Sequence, residues 1–104
     1  MRIILDENIP WPIADWLAGY EITTVQREGW SGVANGELIE KIDGLFDLFI
    51  TADKNLRYQR DLRNRKISIL ELPTNRWPKL SHLKQEIMRE ISEIKPSEYR
   101  TASL

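Results

Sequence analysis

Asp6, Glu37 and Asp53 are the residues of this 104-residue chain whose types and positions could do chemistry. Asp6 follows the apolar run Ile3-Ile4-Leu5. Asp53 ends Phe49-Ile50-Thr51-Ala52-Asp53. Glu37 stands in the first turn of a helical segment between them, and Glu7 follows Asp6 directly. Carboxylates brought together repel each other. They stay ionised only if a cation neutralises them; otherwise one takes up a proton. The chain has no cysteine and a single histidine, His82, so the donors are oxygens. An oxygen-only set favours Mg²⁺ or Mn²⁺ over zinc. Such an ion can orient water and neutralise charge on a phosphodiester. The absence of cysteine also excludes disulfides, a thiolate nucleophile and a cysteine zinc site.

The charge distribution points the same way. The formal net charge is −1, but residues 1–52 carry three basic and nine acidic side chains, and residues 53–104 twelve basic and seven acidic ones. Lys54, Arg57, Arg60, Arg63, Arg65 and Lys66 follow Asp53 directly. A cationic face beside a metal site suits a polyanion, and binding there should weaken steeply with salt. Tyr58 in that run could stack on a base or pack on the sheet. Each feature also has a plain reading. Asp6 and Asp53 can cap turns or helices, Glu37 can complement a helix dipole, and a basic run can be a solvated helix face.

These acids must be positioned by regular elements, and the periodicity supplies them. Residues 2–5 read as a buried strand. A helix is expected from Ile9, capped by Asn8, with Pro10 and Pro12 in its first turn and Gly19 as its stop. Its apolar face is Ile9, Ile13, Trp16 and Leu17. Residues 22–25 read as a second strand, and Asn35 can cap a second helix through Ile42. Residues 47–51 form a third strand, and Asp53 or Asn55 opens a polar helix to about Asn64. Residues 67–72 form a fourth strand. The last helix carries Leu80, Leu83, Ile87, Ile91 and Ile94 and stops at Pro96. The tail, 97–104, is expected to be ordered only in part.

Strict strand–helix alternation predicts one α/β domain over residues 1–104, with a mainly parallel sheet of four to five strands covered on both faces. Ligands bind such sheets outside the carboxyl ends of the strands, where Asp6 and Asp53 fall. Trp11 and Trp16 are expected in the core or an interface, and Trp77 beside Pro78 at the start of the last helix. Trp30, between Gly29 and Gly32, would close over the site or seal a dimer contact. His82 is expected to be exposed.

The opening Met-Arg-Ile-Ile-Leu-Asp-Glu-Asn-Ile-Pro, the middle Glu28-Gly29-Trp30-Ser31-Gly32 with Asn35-Gly36-Glu37-Leu38-Ile39, and Phe49-Ile50-Thr51-Ala52-Asp53-Lys54-Asn55-Leu56 together resemble the small bacterial PIN-like proteins, relatives of the VapC-type toxin ribonucleases. The resemblance spans about residues 1–95. It implies a three-layer α/β/α fold and a Mg²⁺- or Mn²⁺-dependent ribonuclease site on Asp6, Glu37 and Asp53. Thr51 matches the supporting hydroxyl, with Asn8 and Asn55 beside it. Larger members have another acid between the first two; Glu28 is the nearest candidate and Glu7 could substitute. Position 35 is Asn where many relatives have Asp. The resemblance implies an RNA substrate contacted by Lys54, Arg57, Arg60 and Arg63, a homodimer, and a cognate antitoxin if the chain is a toxin.

Two other readings compete with the nuclease. One is a PIN-like module that binds RNA or a protein without cleaving. The other is a receiver-like phosphoacceptor, which also has an acidic pair after its first strand but needs a fifth strand and a Lys after it, neither evident in the sequence. No apolar run is long enough to span a bilayer, and a cytoplasmic location is expected.

Overall fold

Ile3, Ile4 and Leu5 are consecutive and all fully buried. Successive strand residues point to opposite faces, so this is possible only when both faces of the sheet are covered. The computed structural model describes residues 1–58 and 64–102, for Tyr58 the backbone alone. Its strands are β1 (Arg2–Leu5), β2 (Glu21–Thr24), β3 (Leu48–Thr51), β4 (Ser68–Glu71) and β5 (Tyr99–Thr101). All neighbours pair in parallel, in the order β2-β1-β3-β4-β5.

Two cores lie on the two faces. Ile3, Leu5, Leu48, Ile50 and Leu70 point to one, where they meet Ile13 and Leu17 of a 3₁₀ helix (Trp11–Leu17) and Ile87 and Ile91 of helix α3 (Lys84–Glu93). Ile4, Phe49 and Ile69 point to the other, against Leu38, Ile39 and Ile42 of helix α1 (Asn35–Ile42) and Leu56 of a short 3₁₀ turn (Leu56–Tyr58). Helices on both faces make three layers, the α/β architecture expected. α2 (Trp77–Leu80) adds Trp77, whose ring centroid lies 5.5 Å from that of Trp16.

Four local expectations need correction. The first helix begins at Trp11, not near Ile9, and is 3₁₀. Pro10 occupies its cap position and Asn8 is exposed without capping it. Pro10 and Pro12 fall where a helix's N–H groups have no internal partner, so they are tolerated there, and nothing in the local pattern explains why this segment takes 3₁₀ rather than α geometry. Asn35 does not cap α1 with its side chain; Ala34 stands at the cap and Asn35 is the first helical residue. The last helix starts at Trp77 as expected, but it is interrupted by a 3₁₀ turn at Ser81–Leu83 before α3, with the Ser81 hydroxyl donating to the Pro78 carbonyl at 3.0 Å. Such back-bonding loosens regular helix geometry.

The fourth correction is the largest. Residues Tyr99–Thr101, expected in a partly ordered tail, form the fifth strand. Ser97 turns the chain with φ 63°, and Arg100 reaches back to Glu90 at 3.2 Å and Glu93 at 3.3 Å on α3. The Tyr99 hydroxyl donates to Glu71 at 2.6 Å. Glu71 is 1% exposed, and the Arg57 guanidinium binds both its oxygens. A buried carboxylate is tolerated when it is paired and hydrogen-bonded in this way. Burial, then the bond to Glu71, pushes the Tyr99 phenol above its usual range. The expected polar helix after Asp53 is described only at Leu56–Tyr58; Arg60, Arg63 and the Tyr58 side chain lie outside the described residues.

Tyr99→Phe should lower stability by about 1.5 kcal/mol, the usual cost of losing a hydrogen bond to a charged group. Arg57→Ala should cost about 3 kcal/mol, because it leaves Glu71 buried without its cation. Urea midpoints should fall in that order with the slope unchanged.

Candidate functional site

Between β1 and β3 the strand order reverses direction: the chain leaves β1 toward β2 and returns across it to β3. In open parallel sheets the crevice at the carboxyl ends of such a pair is where ligands bind. Asp6 follows β1 at this point, its N–H donating to the Ile50 carbonyl of β3 at 2.9 Å. Asp53 follows β3 by two residues. Thr51, fully buried at the end of β3, joins them. Its hydroxyl donates to Asp6 Oδ2 at 2.6 Å and accepts the Asp53 N–H at 3.0 Å.

Each carboxylate is oriented on both oxygens. Asp6 Oδ1 accepts the Glu7 N–H at 2.8 Å. Asp53 Oδ1 accepts the Asn55 N–H at 2.9 Å, and Asp53 Oδ2 accepts from the Asn35 side-chain amide. Asp6 is buried, and burial raises its carboxyl above the usual aspartate range; the bonds from Thr51 and Glu7 oppose this, and the charges of Glu7 and Asp53 add to the rise. Asp53 is half-buried and open to solvent.

The other expected acids are placed differently. Glu37 is exposed in the first turn of α1, two residues beyond Asn35. Among the described residues no group of three or more acids or histidines is close enough to hold a metal ion. The expected three-acid cluster is therefore a pair, with Asn35 as its third polar member. Glu7 turns to the neighbouring loop, where Oε1 accepts the Gly32 N–H at 3.3 Å and the Glu7 carbonyl accepts Gln26 at 3.4 Å. Gly32 holds a φ of +80° that a side chain would strain. Glu28 accepts the Thr23 hydroxyl at 3.1 Å on the edge strand, outside the pair. Asn55 contributes its backbone, and Asn8 is exposed.

The cationic face is also redistributed. Lys54 is exposed beside Asp53. Arg57 is bound to Glu71, and Arg65 pairs with Glu40 at 3.4 Å. Comparison of the chain with protein-family models, curated proteins and solved structures returns no match in any of the three.

Sequence reasoning missed Asn35 as a site residue and Glu71 as an anchor. The signal for Asn35 was its occurrence where the family resemblance calls for an acid. Glu71 gave a weaker one: a lone acid inside an apolar strand, Ile69-Leu70-Glu71-Leu72, needs a partner. Trp16 is half-buried in the first core, as expected, and Trp30 packs on the second core. Trp11 is 50% exposed and so is not a core residue. His82 is exposed, as expected.

The donor set suits a hard cation. Each oxygen of Asp6 and Asp53 accepts one hydrogen bond and keeps a second lone pair, and the like charges repel. Mg²⁺ is held in proteins by one or two carboxylates plus substrate phosphates while keeping several waters, so Asp6 and Asp53 are the residues that could hold such an ion.

Two predictions follow from this geometry in protein freed of divalent ions. The native state holds the Asp6 proton to higher pH than the unfolded chain does. Stability is therefore lost as pH rises from the ordinary aspartate value, about 3.9, through the raised one. Asp6→Asn should raise the urea midpoint at neutral pH, and the gain should vanish below the ordinary aspartate range. Thr51→Val, which removes a buried donor to a carboxylate, should cost roughly 2–3 kcal/mol, measured in the same titrations.

Proposed function

We propose that this chain is a PIN-like, divalent-metal-dependent endoribonuclease. The observation that carries the reading is the Asp6–Thr51–Asp53 bridge at the carboxyl ends of β1 and β3. Asp6 and Asp53 would hold Mg²⁺ or Mn²⁺, which supplies charge neutralisation at the phosphodiester and a more acidic water. Asn35, Asn55 and Thr51 fix the directions of the carboxylate lone pairs. Lys54, exposed next to Asp53, would meet a backbone phosphate. Glu37 is the candidate general base, since its carboxylate is not spent on holding the pair. A cognate antitoxin, a homodimeric assembly and a cytoplasmic location belong to the same reading. Among the described residues no helix is long and apolar enough to cross a membrane.

The lack of a third gathered acid favours a second reading, a module of the same fold that binds RNA without cutting it. The phosphoacceptor reading gains the fifth strand that the sequence did not reveal. β5 itself reads Tyr99-Arg100-Thr101 and carries no lysine.

Mn²⁺ at a hundred times its Kd should stabilise the chain by about 2.7 kcal/mol, a rise in Tm of roughly 10 °C or more for a domain of this size. Asp53→Asn should abolish the rise. Glu37→Gln should keep it and lose RNA cleavage. No Mn²⁺ response in the native chain would end the metal reading; a response with intact RNA would favour the binding module.

A further inference from the structure

Three large apolar side chains stand out as exposed among the described residues: Met1, Leu45 and Trp11. Met1 precedes β1 and Leu45 precedes β3, so both lie toward the amino edge of the sheet. Trp11 is five residues beyond Asp6, at the carboxyl edge. The residue is 50% exposed, and the Arg27 guanidinium lies over the ring at 5.4 Å from the centroid.

The pair is held in place from both sides. The Trp11 segment is fixed by the turn in which the Ile9 N–H donates to the Asp6 carbonyl at 3.0 Å, and by Ile13, whose N–H donates to the Pro10 carbonyl at 3.1 Å. Arg27 follows β2, and its N–H donates to the Thr24 hydroxyl at 3.0 Å. Gln26 and Gly32, on either side of Arg27 in the chain, both bond to Glu7, the residue next to Asp6. Among the described residues Arg27 has no carboxylate partner. An indole with a guanidinium over its ring, both open to solvent and tied to the loop that carries Asp6, offers an aromatic, cationic surface on that rim.

We propose that Trp11 and Arg27 form a stacking subsite for an unpaired base of single-stranded RNA. This rests on the nuclease reading and names its substrate class. Unpaired bases present a free π-face that aromatic and guanidinium planes stack on, whereas bases in a duplex are stacked on one another and hidden. Arg27 adds attraction for the adjoining phosphate, which a purely apolar platform lacks. The acids around Asp6 repel RNA in the absence of an ion, so a cationic stack at the rim offsets that repulsion where a strand must approach.

The test is fluorescence anisotropy of a labelled oligouridylate of about ten nucleotides, within the usual single-strand site size. The full chain is titrated in EDTA, so that hydrolysis does not compete. Trp11→Ala should weaken binding roughly five- to a hundred-fold, the usual effect of removing one stacking partner. Trp11→Phe should keep most of the affinity, and Arg27→Ala should lose affinity and flatten the salt dependence. The duplex with oligoadenylate should bind more weakly and alike to all variants. Melting curves of the variants check that each folds. Oligouridylate bound equally by native chain and Trp11→Ala, a preference for duplex, or no binding would overturn the subsite. Trp11-dependent binding in a chain that never cleaves would leave the subsite standing and remove the hydrolysis. Cleavage with affinity indifferent to Trp11 would do the reverse.

Discussion

The Thr51 hydroxyl is the constraint on which the carboxyl rim of this sheet depends. It has one proton to give and gives it to Asp6, so its lone pairs are left for the Asp53 N–H. The Asp6 carboxylate and the backbone of Asp53 are thereby tied to one neutral group, while the Asp53 carboxylate is oriented by Asn35 and the Asn55 N–H. The arrangement works because β3 is buried along its whole length, which leaves no water to compete for the hydroxyl. Buried hydrogen bonds to a charged acceptor are strong, and expensive to leave unmade. The parallel register of β1 and β3 then brings Asp6 to the end of the strand that carries Thr51.

The other half of the chain is organised by a second buried acid. Glu71 gathers Arg57 from the segment after Asp53 and Tyr99 from β5, so the fifth strand and the start of the basic segment share one anchor. The excess of basic residues after Asp53 is thus not simply a surface waiting for phosphate. Part of it neutralises acids of the fold itself: Glu71 takes Arg57, Glu40 takes Arg65, and Arg100 serves Glu90, Glu93 and Glu98.

Much of the fold was legible in the sequence because it is written in consecutive apolar residues. Ile3-Ile4-Leu5 and Leu48-Phe49-Ile50 demand cover on both faces, and alternation with helices then leaves little but a parallel sheet. β5 was not legible. Tyr99-Arg100-Thr101 has no apolar pattern; it is held by its ladder to β4, by Tyr99 reaching Glu71 and by Arg100 folding back onto Glu90 and Glu93 of α3. The segment Ile9–Leu17 differs in another way: its apolar spacing reads as helical, and helical it is from Trp11, but spacing alone does not separate α from 3₁₀ geometry. At the site, the positions of Asp6 and Asp53 followed from strand ends alone. That Asn35 would spend its amide on Asp53, leaving Glu37 outside the pair, depends on the entry angle of α1, which no local pattern encodes.

An all-parallel sheet built on strands of three or four residues has a kinetic side as well. No pair of neighbours can be closed by a hairpin; β1 meets β3 only after the chain has looped back, as in the bond from the Arg2 N–H to Asp47, forty-five residues away. Loop-closure entropy must be spent before any ladder rewards it, and topologies of this kind assemble slowly for their size. During that interval the apolar strands Ile3–Leu5 and Leu48–Ile50 present unpaired edges, and crowding by other nascent copies at this stage competes directly with correct assembly.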